Sequence, residues 1–588
     1  MITTMTMTTN MQTEMARRPA HLATIVFLLV SLCAPPAFAR SPLSPDPYPL
    51  TPVPQTPASQ TKDWQALASA DPVLQAMRAE LDRSKSKLKI EDVAAPYYIE
   101  YRVIDFDDYS AEAAFGALRT DVRTRFRFLR VVVRVGDYKQ DSYFGQGEGS
   151  VNFLPVDGDV LALRNQLWLA TDTAYKLAAQ ALTAKQAQLK QLTIDQPVDD
   201  FARATPVQSV GPLVKLEFDP HPWTTMLVDA SALYKTDPQI ENFESTLKFQ
   251  AINRYFVNSE GTVVRSGQNY YEMNFSARTQ AGDGMSLERD KDFSVSSITA
   301  LPSAQTFVAE AKKLTGTLKD LREAPVVEEE YRGPVLFSPT ASVLIFGDLV
   351  GDNVLGYKPE LGKNGRTTKA FANSYKSRVL PDFLSVVDDP TISSYKNQPL
   401  LGHYEIDDEG VPAQRVSVID NGTLVNYLIG RQPIRDFPAS NGHGRARVPS
   451  FPTEPHTANL IVSSSQPVPH DDMKKKLLEL CKQRDLAYGY FVDTFGAKLA
   501  PRLIYKVWVK DGHEELVRGA VFGDLDTRSL RSGLVAAGDD FYIRSHLLNI
   551  PHSVVAPSVL FDELEVKRTN VNKETLPEYP APALAPPK

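Results

Sequence analysis

The sequence predicts an α+β protein of two domains, a mixed α/β N-terminal domain and a mainly antiparallel β C-terminal domain. Three observations lead there. A chain of 588 residues exceeds what one hydrophobic core organises, so two domains with flanking segments are expected. Helix-like and strand-like stretches alternate up to residue 324, whereas beyond residue 335 nearly every apolar run reads as strand. Between the halves lies PVVEEEYRGP (325–334), a charged linker with proline at both ends.

Composition narrows the function classes. Apolar residues make up 43% and charged residues 23%, with a net charge of -7, an ordinary globular balance. No strongly basic domain exists to bind nucleic acid without sequence preference. Arg17 and Arg18 precede the apolar run LATIVFLLVSLCA (22–34), and Ala37-Phe38-Ala39 follows as a small-x-small cleavage site. That run is too short to span a bilayer, so residues 1–39 read as a signal peptide with an extended start. Export to the periplasm or medium is the expectation, with no integral membrane segment after cleavage. Leu32 before Cys33 is too large for a lipoprotein site. Cys481 is then the single cysteine left, and it shares a helical face with Met473, Leu477 and Leu480 as a small buried residue.

In chain order, residues 40–61 form a Pro-rich spacer. The N-terminal domain is expected over 62–324. DPVLQAMRAELDRSKSKL is a helix with Asp71 at its N-terminus and Pro72 in its first turn. Residues 97–104 form a strand. In DVRTRFRFLRVVVRV, Val122, Thr124, Phe126 and Phe128 alternate with Arg123, Arg125 and Arg127, so the arginines are expected on a solvated sheet face. Leu167, Ala170, Thr171, Ala174, Tyr175 and Ala178 mark the buried side of a long helix over 163–192. Residues 245–278 give a hairpin about Asn258-Ser259-Glu260-Gly261 and a further strand. SAQTFVAEAKKLTGTLKDLRE is a capped helix. The C-terminal domain, 335–570, is expected to use VLFSP, SVLIF, RVSVID, LVNYLI, NLIVSSS, YKVWVK and LVRGAVF as strands, with helices near 472–486 and 526–536. Residues 571–588 are a Pro-rich tail expected to be disordered.

No Gly-x-Ser-x-Gly elbow, phosphate loop or Cys-x-x-Cys pair occurs. Gly512-His513-Glu514-Glu515 lacks the second histidine of a zincin helix and reads as a turn. Asp388-Asp389 and Asp407-Asp408-Glu409-Gly410 have turn chemistry without the alternating ligands of a calcium loop. Asn421-Gly422 is a type I′ hairpin turn. SNGHGRAR (440–447) is the loop suited to an anion or a peptide backbone, through His443, Arg445 and Arg447. His456 follows it, and His403 and His552 are further histidines for a shared site. The candidate cleft residues are therefore Asp388, Asp407, Glu409, His443, Arg445, Arg447 and His456.

LSVVDDP (384–390), DDEGVPAQRVSVIDNGTLVNYL (407–428), NGHGRAR (441–447), HTANLIV (456–462) and VWVKDGHEELVRGAVFGD (507–524) together resemble the TldD/PmbA family of metallopeptidase-like proteins. In that family a catalytic member carries His-Glu-x-x-x-His on a helix, with a downstream Cys completing a zinc site. A partner subunit lacks these ligands, and extended peptide enters an internal cleft. The resemblance places SVLIFGDLVGDNVLG (342–356) at the motif. Phe346 and Gly351 stand where the two histidines should be and Gly347 where the glutamate should be, and NIPHSVVAPSVLF (549–561) has no Cys. The implied protein is an exported, zinc-free peptide-binding or partner subunit. It would bind peptide or unfolded polypeptide and pair with itself or with a zinc-containing relative. Two alternatives stand beside it. One is an active metallopeptidase whose metal site is rebuilt from His443, His456 or His552 with Asp388 or Glu409. The other is an envelope protein holding an anionic glycan on SNGHGRAR.

Overall fold

The computed structural model describes residues 63–91, 93–143, 149–192, 198–447, 452–547 and 550–569. The expected signal peptide, Pro-rich spacer and C-terminal tail lie outside these residues.

The N-terminal half opens with helices α1 (Trp64–Ala70) and α2 (Pro72–Lys87). The Asp71 carboxylate caps α2 by accepting from the Val73 and Leu74 N–H groups, and Pro72 occupies the first turn where no N–H is needed. Strands β1 (Tyr98–Ala114), β2 (Ala117–Arg134) and β3 (Ser150–Leu154) lead to α3 (Val160–Leu189). After β4 (Gln208–Val210) and α4 (His221–Ser231) come β5 (Ile240–Asn258), β6 (Val263–Gln280), β7 (Ser286–Val295) and α5 (Ala304–Glu323). One seven-stranded sheet results, in the order β3-β2-β1-β5-β6-β4 with β7 on the far side of β6. On one face α2 and α3 cover Ile99, Tyr101, Val103, Leu129 and Val131. The predicted stripe of α3 is the buried one, including Leu167, Ala170, Thr171, Ala174, Tyr175 and Ala178.

Of the β2 arginines, Arg123 and Arg125 lie on the expected exposed face, while Arg127 departs from it. Arg123 pairs with Asp107, while Arg125 and Arg127 share Asp105 on the neighbouring strand. Arg127 is buried where Phe126 and Phe128 are only half-buried. A guanidinium meeting a carboxylate and the carbonyls of Pro155, Val156 and Asp157 is satisfied without water.

The C-terminal half begins with β8 (Tyr331–Phe337), which absorbs residues 331–334 of the expected linker, and continues into α6 (Pro339–Leu349). SVLIF is therefore helix, not strand. The Ser338 hydroxyl accepts from the Ala341 N–H and Pro339 starts the first turn, a start signal that outranks the apolar run. The run is apolar all round because α6 lies between two sheets, touching β8 on one side and later strands on both. These strands are β9 (Leu384–Asp388), β10 (Ser394–Tyr395), β11 (Gln398–Pro399), β12 (Val416–Asp420), β13 (Thr423–Leu424), β14 (Gly444–Ala446), β15 (Thr453–Pro455) and β16 (Asn459–Ser464). Helix α7 (His470–Gln483) precedes β17 (Tyr488–Phe495), β18 (Pro501–Trp508), β19 (Glu514–Val517) and β20 (Ala520–Phe522). Last come α8 (Thr527–Gly533), β21 (Leu534–Ala537), β22 (Tyr542–His546), β23 (His552–Ala556) and β24 (Val559–Arg568).

A six-stranded sheet runs β13-β12-β9-β16-β23-β22 and a seven-stranded one β19-β18-β17-β8-β24-β20, with β21 on β24. Only β16–β23 and β8–β17 pair parallel within them. Phe337, Ile345, Phe346, Val386, Leu460, Tyr490 and Phe561 form the core between these sheets. Of LVNYLI (424–429), Leu424 alone lies in a strand, β13, where it follows Thr423. Beyond them the Leu428 N–H bonds the Val354 carbonyl and the chain turns in toward the first domain. Asn421 and Gly422, at φ 44° and 76°, make the predicted hairpin turn. Cys481 is fully buried on α7 with Met473 and Leu477.

Candidate functional site

The two halves meet at the loops holding Asp407–Gly410 and SNGHGRAR. The Asp407 carboxylate accepts from the N–H groups of Glu409, Val411 and Gly444 at 2.9, 2.8 and 2.9 Å. It thereby ties its own turn to the SNGHGRAR loop. The Asp408 carboxylate accepts from Ala446 N–H at 2.9 Å and Arg445 Nε at 3.2 Å. Glu409 accepts from the Thr453 hydroxyl at 2.7 Å and from the Arg431 N–H at 2.5 Å. Burial raises the pKa values of Asp407 and Glu409, and for Asp407 the neighbouring Glu409 charge raises it further. Burial works the same way on Asp408, but Arg445, Arg254 and Arg102 outweigh it and hold that carboxyl low.

His443 is fully buried. Its Nε2 lies 3.1 Å from Asp388 Oδ1, and its Nδ1 faces the Asn441 carbonyl and side-chain oxygen at 3.0 and 3.1 Å. Both Asp388 oxygens also accept from the Ala458 N–H. Arg445 stacks 4.1 Å over Tyr404, whose hydroxyl donates to the Gly442 carbonyl. The structure thus gathers Asp388, Asp407, Glu409, His443 and Arg445 into one buried polar network with internal partners. Of the seven candidate residues, Arg447 keeps its side chain 46% exposed beside Glu454, and His456 is half-buried.

Sequence reasoning missed the anchor of this junction. Arg431 is 0% exposed and donates through Nε and Nη2 to the Ala202 carbonyl at 3.0 and 2.7 Å. It also meets Glu260 at 2.8 Å and stacks 4.1 Å over Phe201. Ala202 N–H returns a bond to the Arg431 carbonyl at 2.8 Å. The available signal was a lone charge inside the apolar run YLIGRQPI. Its partners sit more than 170 positions earlier, where nothing marks them.

The segment that the resemblance puts at the motif falls on helix α6. Phe346 on α6 is fully buried in the core between the sheets. A Cβ on Gly347 would touch Val554 of β23, and one on Gly351 would touch Leu460 and Thr457. Nearby, the rings of His456 and His552 lie 5.1 Å apart, and those of His552 and His546 5.4 Å. His456 Nδ1 is 2.8 Å from the Thr457 carbonyl and His552 Nδ1 is 2.9 Å from the Ile550 carbonyl. Burial lowers their pKa values to about 3 and about 4, so the rings are neutral at neutral pH. His403 is turned to the Pro390 carbonyl instead. Asp348 and Asp352 have raised pKa values from burial, and Asp352 adds to the shift at Asp348. Among the described residues no group of three or more His, Cys, Asp or Glu is arranged to hold a metal ion. Phenylalanine and glycine have no donor for zinc, so the residues at the motif do not fit that ion.

A second feature lies beside this wall. Among the described residues strand β7 pairs only with β6, and β22 only with β23. Their unpaired edges line a cleft of about 650 Å³ with Arg289, Asp493 and Arg502. Burial holds Arg289 down at about 10.

Residues 330–568 match the family model described as "PmbA/TldA metallopeptidase C-terminal domain". A "Metalloprotease TldD homolog" from Buchnera aphidicola of Acyrthosiphon pisum is 31% identical over 142 residues, 24% of this chain and 26% of that protein. Another, from Buchnera aphidicola of Schizaphis graminum, is 27% identical over 231 residues, 37% of this chain and 45% of that one. The chain thus spans between a quarter and a half of the length of these relatives. TldE from Thermococcus kodakarensis superposes with a TM-score of 0.54 at 13% identity, covering 84% of this chain and 99% of that one. Such identity carries the fold, and here it extends the likeness across both halves. The matched domain and the quoted motifs agree: residues 330–568 of this chain form a C-terminal domain of TldD/PmbA type, within a two-domain fold like that of TldE.

Proposed function

We propose that this protein is an exported, zinc-free member of the TldD/PmbA family that binds extended polypeptide in the interdomain cleft and serves as a partner subunit in peptide processing. The observation that carries this reading is the pairing of a donor-free motif with two unpaired strand edges. Phe346, Gly347 and Gly351 supply neither ligand nor general base, so the hydrolytic centre of a zinc peptidase has no support here. Strands β7 and β22 offer unpaired main-chain N–H and C=O groups along one cleft. An extended segment added to either edge satisfies these groups through its backbone, which gives affinity without demanding one sequence. The two TldD homologs favour a role alongside a metalloprotease, either with a second copy or with a zinc-containing relative.

The test uses the purified protein and a fluorescent polypeptide in folded and permanently unfolded forms. Anisotropy should rise with the unfolded form alone, metal analysis should find no stoichiometric zinc, and chelator should leave binding unchanged. One zinc per chain with chelator-sensitive hydrolysis defeats the proposal. Hydrolysis abolished by alanine at His456 and His552 would establish the rebuilt metal site instead.

A further inference from the structure

On the opposite flank of the junction is a cavity of about 610 Å³ that neither the peptide cleft nor the motif helix uses. Lys139, Lys185, Lys358, Lys363, Arg366 and Arg435 line it, against two acids, Asp200 and Glu360. Its floor is a buried ion cluster. Asp200 takes Lys185 at 2.5 Å and Lys358 at 2.9 Å, while Arg134 holds Asp141 at 2.8 Å with Lys185 a further 3.9 Å from Asp141. Among the described residues three cations, Arg134, Lys185 and Lys358, therefore share two carboxylates. Charge excess of that kind in low dielectric is costly unless an anion stands near. Burial lowers the Lys358 pKa and Lys185 lowers it further, although Asp200 opposes both.

The contact groups differ from the floor. Lys358 already donates to the carbonyls of Val198 and Asp199 and to Asp200, so it acts through its field. Arg366 is taken up by Asp436, by the Tyr375 ring beneath it and by Tyr427, whereas among the described residues Lys139, Lys363 and Arg435 form no ion pair. These groups are left to hold an anion directly. Leu189, Val198, Leu361 and Ile434 interleave with them, which suits a ligand with an apolar body. The volume is that of a pocket for a metabolite-sized molecule.

We propose that this cavity binds a small organic anion carrying carboxylate or phosphate groups, and that the ligand fastens the two domains together. Lys139, Lys185 and Asp200 come from the first domain and Lys358, Lys363, Arg366 and Arg435 from the second. Asp200 is two residues from Ala202, the acceptor of Arg431, so an anion here reinforces that seam. This site stands or falls apart from the peptide reading.

Citrate and inorganic phosphate are the probes, titrated calorimetrically and in thermal melts of the full chain at ionic strength fixed with sodium chloride. Citrate should raise the melting midpoint beyond the chloride control and bind tighter than phosphate. The double substitution Lys363→Ala with Arg435→Ala should weaken citrate by at least about tenfold and leave the ligand-free midpoint unchanged. A shift equal to that of chloride, or one surviving the double substitution, overturns the site. Phosphate binding as tightly as citrate overturns the organic ligand.

Discussion

A Cβ at position 444 would lie 2.2 Å from Glu409 Oε2, inside the hydrogen-bonded turn. Gly444→Ala must therefore displace a buried carboxyl that the Thr453 hydroxyl and Arg431 N–H hold. We expect a loss of about 1–3 kcal/mol in urea unfolding. Substitution at Gly282, where a Cβ would meet nothing within 4 Å, is the neutral control. Asp407, Asp408 and Glu409 were legible as a turn because Asp before Gly bonds its own backbone. That these acids would face SNGHGRAR was not legible, since their partners arise from a fold that brings residues 407–410 onto 443–446. The loop's Gly, His and Arg content looked like a surface for a ligand. The same groups serve equally well to satisfy one another when buried, and composition does not distinguish the two cases.

At the level of elements, His546 and His552 face each other across β22 and β23, with His456 next to β15. Their neutrality in the folded state has a definite sign. The unfolded chain protonates His456 and His552 near 6.5, the folded one only near 3 and 4. Between those values the unfolded state binds more protons, so stability falls as pH falls, by up to about 1.4 kcal/mol per pH unit for each ring. Asp407 and Glu409 act oppositely, because their folded pKa values are raised. The effect is therefore read as a difference. His456→Gln with His552→Gln should flatten the decline in melting midpoint between pH 6.5 and 4.5, and an unchanged slope refutes the assignment. Long amphipathic elements such as α3 were readable, because one buried stripe of period 3.6 has one meaning. Helix α6 was not, since apolar residues all round fit a buried strand as well as a buried helix. Ser338 and Pro339 held the deciding information.

Across the whole molecule the junction depends on Arg431. Arg431→Met keeps much of the packing on Phe201 but leaves the Ala202 carbonyl without its side-chain donors and Glu260 without its cation, held then by the Tyr138 hydroxyl and the Asn258 amide. A cost of about 3–5 kcal/mol is expected, with the two halves separating into distinct unfolding transitions in urea. A single transition at the original midpoint would remove Arg431 from this role. The division into two α+β domains was legible from length, linker and periodicity. Their mode of contact was not, because it rests on pairs such as Arg431 with Glu260 that lie far apart in sequence. The third sheet has one more consequence. Strand β8 at 331–337 sits between β17 and β24, and β24 pairs with it only when residues 559–566 are present. During synthesis the core around Phe337 and Phe346 thus stays open until the ribosome has passed residue 566. Closing so long a loop late makes folding slow. The C-terminal half thus completes its core only when synthesis is nearly over, long after the strands of the first sheet, 98–295, have been made.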